Sequence, residues 1–104
     1  MSAQDNLSPK QFGMEVNHDA PNYFPEDLKK STVVIHPTDH VVATQRGLDP
    51  EHPAFKNYDK KKAEKSGGPN LVDIEGVLYI NDGHHRIAAA RKLNVPIKST
   101  VWHE

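Results

Sequence analysis

A single polar turn between a strand-like run and a helix-like run constrains the fold of this chain most. The run Val77–Ile80 is β-branched and aromatic, which is typical of a strand. After the turn, Ile87, Ala90 and Leu93 recur at a spacing of three residues, which indicates one face of a helix. Residues 81–86 read Asn-Asp-Gly-His-His-Arg. The chain must therefore pass directly from strand to helix through a turn that carries a glycine, two imidazoles and a guanidinium.

This turn has the chemistry of a phosphate-binding site. The free N–H groups and the positive dipole end of a helix attract anions. Gly83 allows the backbone to approach a ligand closely, and the guanidinium of Arg86 matches phosphate oxygens with two parallel hydrogen bonds. His84 and His85 add donors at a helix start, where cations are unfavourable unless an anion is present. The sequence therefore predicts phosphate binding by Gly83, His84, His85 and Arg86.

Two residues of the turn are candidates for catalysis. Asp82 is the only carboxylate in the motif, so it is the candidate ligand for a metal ion such as Mg²⁺, or the candidate general base. His85 can donate to phosphate or act as an acid, because imidazole titrates near neutral pH. A structural alternative is that Asn81 or Asp82 only caps the helix, and that Arg86 is an ordinary surface arginine. Both interpretations remain open from the residues alone.

The other elements predict an α+β domain with a small mixed sheet. Glu75-Gly76 separates two short apolar runs, which favours a β-hairpin that leads into the phosphate-binding turn and its helix. Residues 38–45 suit either a short helix or an extended segment. The remaining predicted elements are a strand at Thr32–His36, a helix at Ala54–Lys65, the hairpin strands Leu71–Ile74 and Val77–Ile80, a helix at His85–Leu93 capped by Asn94, and a strand at Ile97–Trp102.

We expect two regions in the chain. Residues 1–30 are rich in Pro, Asn and Asp without a sustained period, which predicts an irregular or partly disordered N-terminal arm. Residues 31–104 form the domain. Only 36% of the residues are hydrophobic and the mean hydropathy is -0.73, so part of the chain should lie outside the core.

Charge and cysteine content exclude several functions. The formal net charge of -1 argues against a general nucleic-acid binder but leaves room for a local basic patch, such as Lys60, Lys61, Lys62 and Lys65. The absence of cysteine excludes disulfides, thiolate catalysis and cysteine-ligated metals. Because the chain has no apolar run of about 20 residues and Met1–Asp5 does not begin a signal peptide, we expect a cytoplasmic protein without membrane contact. Specialised export stays open, and no protein partner is indicated.

At its turn the sequence resembles the ParB/sulfiredoxin-like superfamily. Members share a short hairpin and a G-x-x-R-x-x-A motif that opens a phosphate-binding helix, and here Gly83, Arg86 and Ala89 match it. The sulfiredoxin branch has a reactive cysteine where this chain has His84, so sulfinic-acid reduction is excluded. The ParB branch carries an acidic and a basic residue at the positions of His84 and His85, and partition proteins add a helix-turn-helix region that this sequence lacks. The fuller form Asp82-Gly83-His84-His85-Arg86 looks like that of the small stand-alone and toxin-type domains called ParB-like nucleases, and it is also similar to that of the free serine kinases.

The resemblance spans about residues 32–102, but only about twelve residues around the motif are specific. It implies three functions: a nuclease, a nucleotide-dependent kinase or NTPase, or a non-catalytic nucleotide- or DNA-binding regulator. The lysine cluster and the usual assignment of the family favour the nuclease, with Asp82 and His85 catalytic. Implied cofactors are Mg²⁺ and ATP, ADP or CTP, and the implied partner is a nucleotide or nucleic acid. A further acidic residue is expected after the first strand, with candidates Asp39, Asp49 and Glu51.

Overall fold

A mixed sheet of six strands organises the residues that the structure describes. The computed structural model describes residues 7–17, 28–59, 61 and 68–103. The strands are β1 (Glu15–Val16), β2 (Lys29–Ile35), β3 (Val42–Ala43), β4 (Asn70–Ile74), β5 (Val77–Asp82) and β6 (Ile97–His103). A 3-10 helix (Pro9–Phe12) and two α-helices, α1 (Pro53–Lys56) and α2 (His84–Leu93), accompany them. The strand order is β1-β3-β5-β4-β6-β2, with β1, β3 and β5 parallel, β4 antiparallel to β5 and parallel to β6, and β2 antiparallel to β6. The predicted α+β class and mixed sheet are confirmed.

The β4–β5 hairpin turns as the sequence predicts. Glu75 and Gly76 connect the paired residues Ile74 and Val77. Both turn residues have positive φ, 54° and 85°, the combination of a two-residue type I′ turn. This turn fixes the register that carries β5 toward the start of α2.

A β-bulge lies at the end of β5, immediately before the turn. Leu71 pairs with Ile80, whereas Asn70 pairs with Asp82, so Asn81 is the extra residue. A bulge breaks the strict alternation of side chains and often re-aims a residue next to a functional site. Here it places both Asn81 and Asp82 on the exposed side of the chain after the fully buried Ile80.

The helix after the turn matches its prediction closely. It begins at His84, one residue before the predicted start, and ends at Leu93. Asn94 adopts the left-handed conformation at the C-cap, and its N–H donates to the carbonyl of Arg91. Ile87 and Ala90 are buried as the spacing predicts, with Ala88 and Ala89 beside them, whereas Leu93 is 46% exposed. The three alanines let the helix lie close to the sheet.

Part of the predicted N-terminal arm packs on the body of the domain. Met14 is buried in the core, and Leu7 forms a two-way backbone bridge with Leu48. The guanidinium of Arg91 on α2 donates to the backbone carbonyls of Phe12, Gly13 and Asp39. The arm from 7 to 17 is therefore held by the helix as well as by β3. Residues 1–6 and 18–27 lie outside the described residues, so the expected boundary at residue 30 stays a prediction.

The structure corrects the prediction for one segment, 54–65, and decides between the two alternatives for another, 38–45. The predicted continuous helix at 54–65 is interrupted, because α1 ends at Lys56 and Asn57–Asp59 are not helical, whereas Lys61 is helical again. Residues 60 and 62–65 of that prediction lie outside the described residues. The ambiguous segment 38–45 is extended where it forms β3, and its two residues lie buried between β1 and β5. None of the described helices has the length and apolar character that crossing a bilayer requires.

Gly83 is the position where the fold should tolerate substitution least. Its φ is +100°, and a Cβ there would lie 2.7 Å from the Cβ and 2.8 Å from the Cα of Pro69. We expect Gly83→Ala to lower the free energy of unfolding by about 3 kcal/mol or more, through backbone strain plus overpacking. Gly76→Ala is the matched control, since its φ is also positive but a Cβ would meet nothing within 4 Å. It should cost only about 1–2 kcal/mol. Equal losses in urea denaturation of the two variants would contradict this account.

Candidate functional site

An open cleft lies where β5 passes into α2. It encloses about 300 Å³. One wall is the turn from Asp82 to Arg86, and the other is formed by Gln45, His52 and Ala54 from the segment between β3 and α1. The structure therefore brings together every residue of the predicted site in one cleft.

The first turn of α2 is not capped by a side chain. Gly83 occupies the N-cap position, and no side chain accepts a hydrogen bond from the first backbone N–H groups. The alternative in which Asn81 or Asp82 caps this helix is therefore wrong. These N–H groups are normally satisfied by a cap, by water or by a ligand. The start of α2 thus presents unsatisfied donors and the positive end of a helix dipole at the cleft.

The two charged side chains of the cleft have no ion-pair partner among the residues that the structure describes. Asp82 and Arg86 are both exposed and both line the cleft. Although they are four residues apart, they do not form an ion pair, and neither has a hydrogen-bond partner among the described residues. Arg86 is thus a cation, and Asp82 a carboxylate, that a ligand can reach without breaking an existing bond.

His84 serves as a buried structural acceptor. Its side chain lies in the core at 6% exposure, and its Nε2 accepts a hydrogen bond of 2.9 Å from the backbone N–H of Thr44. The hydroxyl of Thr44 donates in turn to the carbonyl of Ile80 on β5, at 2.8 Å. Burial, and then the neighbouring His85, lower the pKa of His84 to about 4, with Asp82 opposing. His84 is therefore neutral near pH 7, and its Nε2 is not free to contact a phosphate. It can offer only its Nδ1–H or its backbone N–H.

His85 is also a neutral acceptor, at the surface of the same turn. Its Nε2 accepts a hydrogen bond of 2.9 Å from the backbone N–H of Asp49. Its ring stacks on that of His52 with centroids 4.1 Å apart and an interplanar angle of 11°. Burial lowers the pKa of His85, as does His52, while Asp49 raises it. The lone pair on Nε2 is engaged, so in this arrangement His85 suits the role of a donor through Nδ1–H better than that of a base.

The opposite wall contains residues that the sequence did not single out. Nδ1 of His52 accepts from the N–H of Ala54 and caps α1, which has Pro53 at its first position. The His-Pro pair before a helix is a recognisable start signal in the sequence. The amide nitrogen of Gln45 donates to the carbonyl of Gly47. No sequence pattern marks Gln45 as a site residue.

The other acidic candidates lie outside the cleft wall. Oδ2 of Asp39 accepts from the N–H of His36, Oδ1 of Asp49 accepts from the N–H of Glu51, and Glu51 pairs with Lys56. None of these three carboxylates lines the cleft. Within the described ranges, no group of three His, Asp or Glu residues is placed to hold a metal ion. Asp82 is therefore a single carboxylate, which could hold Mg²⁺ only together with oxygens of a ligand.

The predicted lysine patch falls mostly outside the structure described. Lys61 is exposed, and Lys60, Lys62 and Lys65 lie outside the described residues. In comparisons with protein-family models, curated proteins and solved structures, nothing matched this chain. The function is therefore inferred from the geometry and charge of the cleft and from the motif of its turn.

The buried His84 should make stability depend on pH. Its pKa is about 4 in the folded chain and about 6.5 in the unfolded chain, so only the unfolded chain takes up this proton between those values. The contribution of neutral His84 to the free energy of unfolding is fully present above pH 6.5. About 3 kcal/mol of it is lost as the pH falls toward 4. We expect urea denaturation from pH 7 to 4 to show this decline, and His84→Gln to be less stable at pH 7 but less sensitive to acid. His36→Gln, at an exposed histidine, should keep the slope of the parent. An unchanged slope in His84→Gln would contradict the assignment.

Proposed function

We propose that this domain binds a nucleotide through its phosphate group in the cleft at the start of α2. The observation that carries the proposal is the uncapped first turn of a ten-residue helix beside the unpaired guanidinium of Arg86. Backbone N–H groups, the helix dipole and a bidentate donor together suit a dianionic phosphate. Gly83 contributes no side chain that would stand between the backbone and the ligand.

The charge of the cleft favours a single nucleotide over an extended nucleic-acid backbone. Among the described residues that line the cleft, Asp82 and Arg86 carry a full formal charge, whereas His84 and His85 are neutral near pH 7. Binding of a nucleic-acid backbone is driven by several cations that each neutralise a phosphate. One guanidinium and one helix terminus provide for one phosphate group. The cleft volume of about 300 Å³ also falls within the range of small-molecule sites.

The resemblance supports the same proposal. A hairpin followed by a glycine turn and a helix is the order of elements that a ParB/sulfiredoxin-like fold implies. Gly83 and Arg86 occupy the motif positions that contact phosphate in that superfamily. We therefore propose that the domain has this fold. The neutral, engaged imidazoles and the single cation shift the preferred function from the nuclease toward nucleotide binding.

A thermal-shift titration tests the proposal. We expect ATP, ADP or CTP to raise the melting temperature of the parent chain in a concentration-dependent way, since a ligand that binds only the folded state stabilises it by mass action. Arg86→Ala should lose most of this shift. The matched control is Lys98→Ala, which removes a positive charge from an exposed residue of β6 that does not line the cleft. A shift with an oligonucleotide alone, or an equal shift in Arg86→Ala, would contradict the proposal.

A second candidate function is Mg²⁺-assisted hydrolysis of a phosphodiester. The observation that favours it is the exposed, unpaired carboxylate of Asp82 in the same wall as Arg86. Mg²⁺ commonly binds one or two protein carboxylates together with substrate phosphates, so a single aspartate is sufficient for a ternary site. Arg86 and the Nδ1–H of His85 would hold the phosphate, and the metal would polarise it.

Asp82→Asn separates this activity from binding. It should lower Mg²⁺-dependent cleavage of a short oligonucleotide by about 100-fold or more, because the metal loses its protein ligand. Since Asp82 caps no helix, the free energy of unfolding should change by less than about 1 kcal/mol. Glu75→Gln, which removes a carboxylate from the exposed hairpin turn, is the control and should cleave like the parent. If the parent chain shows no cleavage above a Mg²⁺ blank, the hydrolytic function is excluded and nucleotide binding stands alone.

A further inference from the structure

Two imidazoles hold the second half of the segment between β3 and α1 against the first turn of α2. Nε2 of His85 accepts from the N–H of Asp49, and the ring of His85 stacks on that of His52. Nδ1 of His52 accepts from the N–H of Ala54. Each ring therefore uses an unprotonated nitrogen to hold a backbone N–H of the same segment.

These contacts require both rings to be neutral. Protonation of His85 would place an N–H on the nitrogen that faces the N–H of Asp49, which turns an attractive contact into a repulsive one. The parallel stack at 4.1 Å would then also hold a cation directly against His52. Acid therefore acts on the hydrogen bond and on the stack together.

We propose that His85 and His52 form an acid-sensitive latch that releases residues 49–52 from α2 as the pH falls below neutral. Release would withdraw the part of the cleft wall that His52 supplies. The latch is a property of the apo chain and does not require the proposed nucleotide. Its failure and the failure of the proposed function are therefore distinguishable.

The charges around the stack decide the pH range. Asp49 from the segment favours the charged form of His85, and His52 from the same segment opposes it. The other charged groups near the latch are Arg86 on α2, Asp82 at the end of β5, and the exposed pair of Glu51 with Lys56. Burial is the largest effect on His85 and lowers its pKa from 6.5, so release should occur on the acidic side of that value. Thr44, at the other end of the segment, is held by the more deeply buried His84, whose protonation also lowers stability in acid and has to be separated from that of His85.

Amide hydrogen exchange followed by NMR tests the latch on the intact chain without ligand. We expect the protection factor of the Asp49 amide to fall about tenfold or more further in the parent chain than in His85→Gln between about pH 7.5 and pH 5. Both chains keep His84, so the acid destabilisation that His84 causes is common to them, and protection factors correct for the intrinsic pH dependence of exchange. An equal fall in the two chains would overturn the proposal.

Three variants distinguish the latch from general acid destabilisation. His85→Gln keeps an acceptor but cannot titrate, so its Asp49 amide should lose only the protection that acid removes through His84. His85→Ala removes the acceptor, so Asp49 should be unprotected at both. His36→Gln removes an exposed histidine outside the cleft and should respond like the parent. If His85→Gln loses protection in acid as the parent does, His85 is not the sensor and the proposal is wrong.

Discussion

The hydrogen bond from the Thr44 backbone to Nε2 of His84 is the interaction on which the candidate site depends. It joins the end of β3 to the first residue of α2 inside the protein, where an unpaired N–H would be costly. The Thr44 hydroxyl extends the connection to Ile80 on β5. One buried imidazole thus fixes the distance between the two walls of the cleft. This hydrogen bond anchors the segment that carries Gln45 and His52 together with Leu48, which is buried in the same core as α2.

The turn before this imidazole has a second constraint, which explains why the helix start is open to a ligand. Gly83 must be glycine because its φ is positive and Pro69 leaves no room for a Cβ. A glycine N-cap supplies no side-chain acceptor, so the same steric requirement leaves the first N–H groups of α2 uncapped. The bulge at Asn81 then places Asp82 in the cleft rather than at the cap. Packing and binding chemistry are therefore linked through one residue.

The sequence predicts the elements whose signals are local. The Glu75-Gly76 turn, the strands beside it and the Asn94 cap all follow from short patterns, and the structure confirms them. β3 is different, since its two residues are extended because they pair with strands from distant parts of the chain. The long helix predicted from Ala54 is interrupted at Asn57–Asp59, because apolar spacing gives no sign of a break there.

The site shows the same division between local and distant information. The cleft residues from Asp82 to Arg86 were predicted, because a glycine turn at a helix start is a local feature. The sequence does not predict that the imidazoles of His84 and His85 accept hydrogen bonds from the backbone, because their partners lie 40 and 36 residues away in the sequence. A histidine that accepts from a backbone N–H looks identical in sequence to one that donates to phosphate. Only the fold distinguishes these two roles.

The most direct test of this account is the tautomeric state of the two imidazoles, read from long-range ¹H–¹⁵N NMR correlations near pH 7. The account predicts that His84 and His85 are both neutral, with the proton on Nδ1 and a hydrogen-bonded lone pair on Nε2. A protonated Nε2 on either ring, or a charged imidazole at that pH, would contradict it. In that case the cleft wall would be held by other contacts, and the histidines would return to the role of phosphate donors.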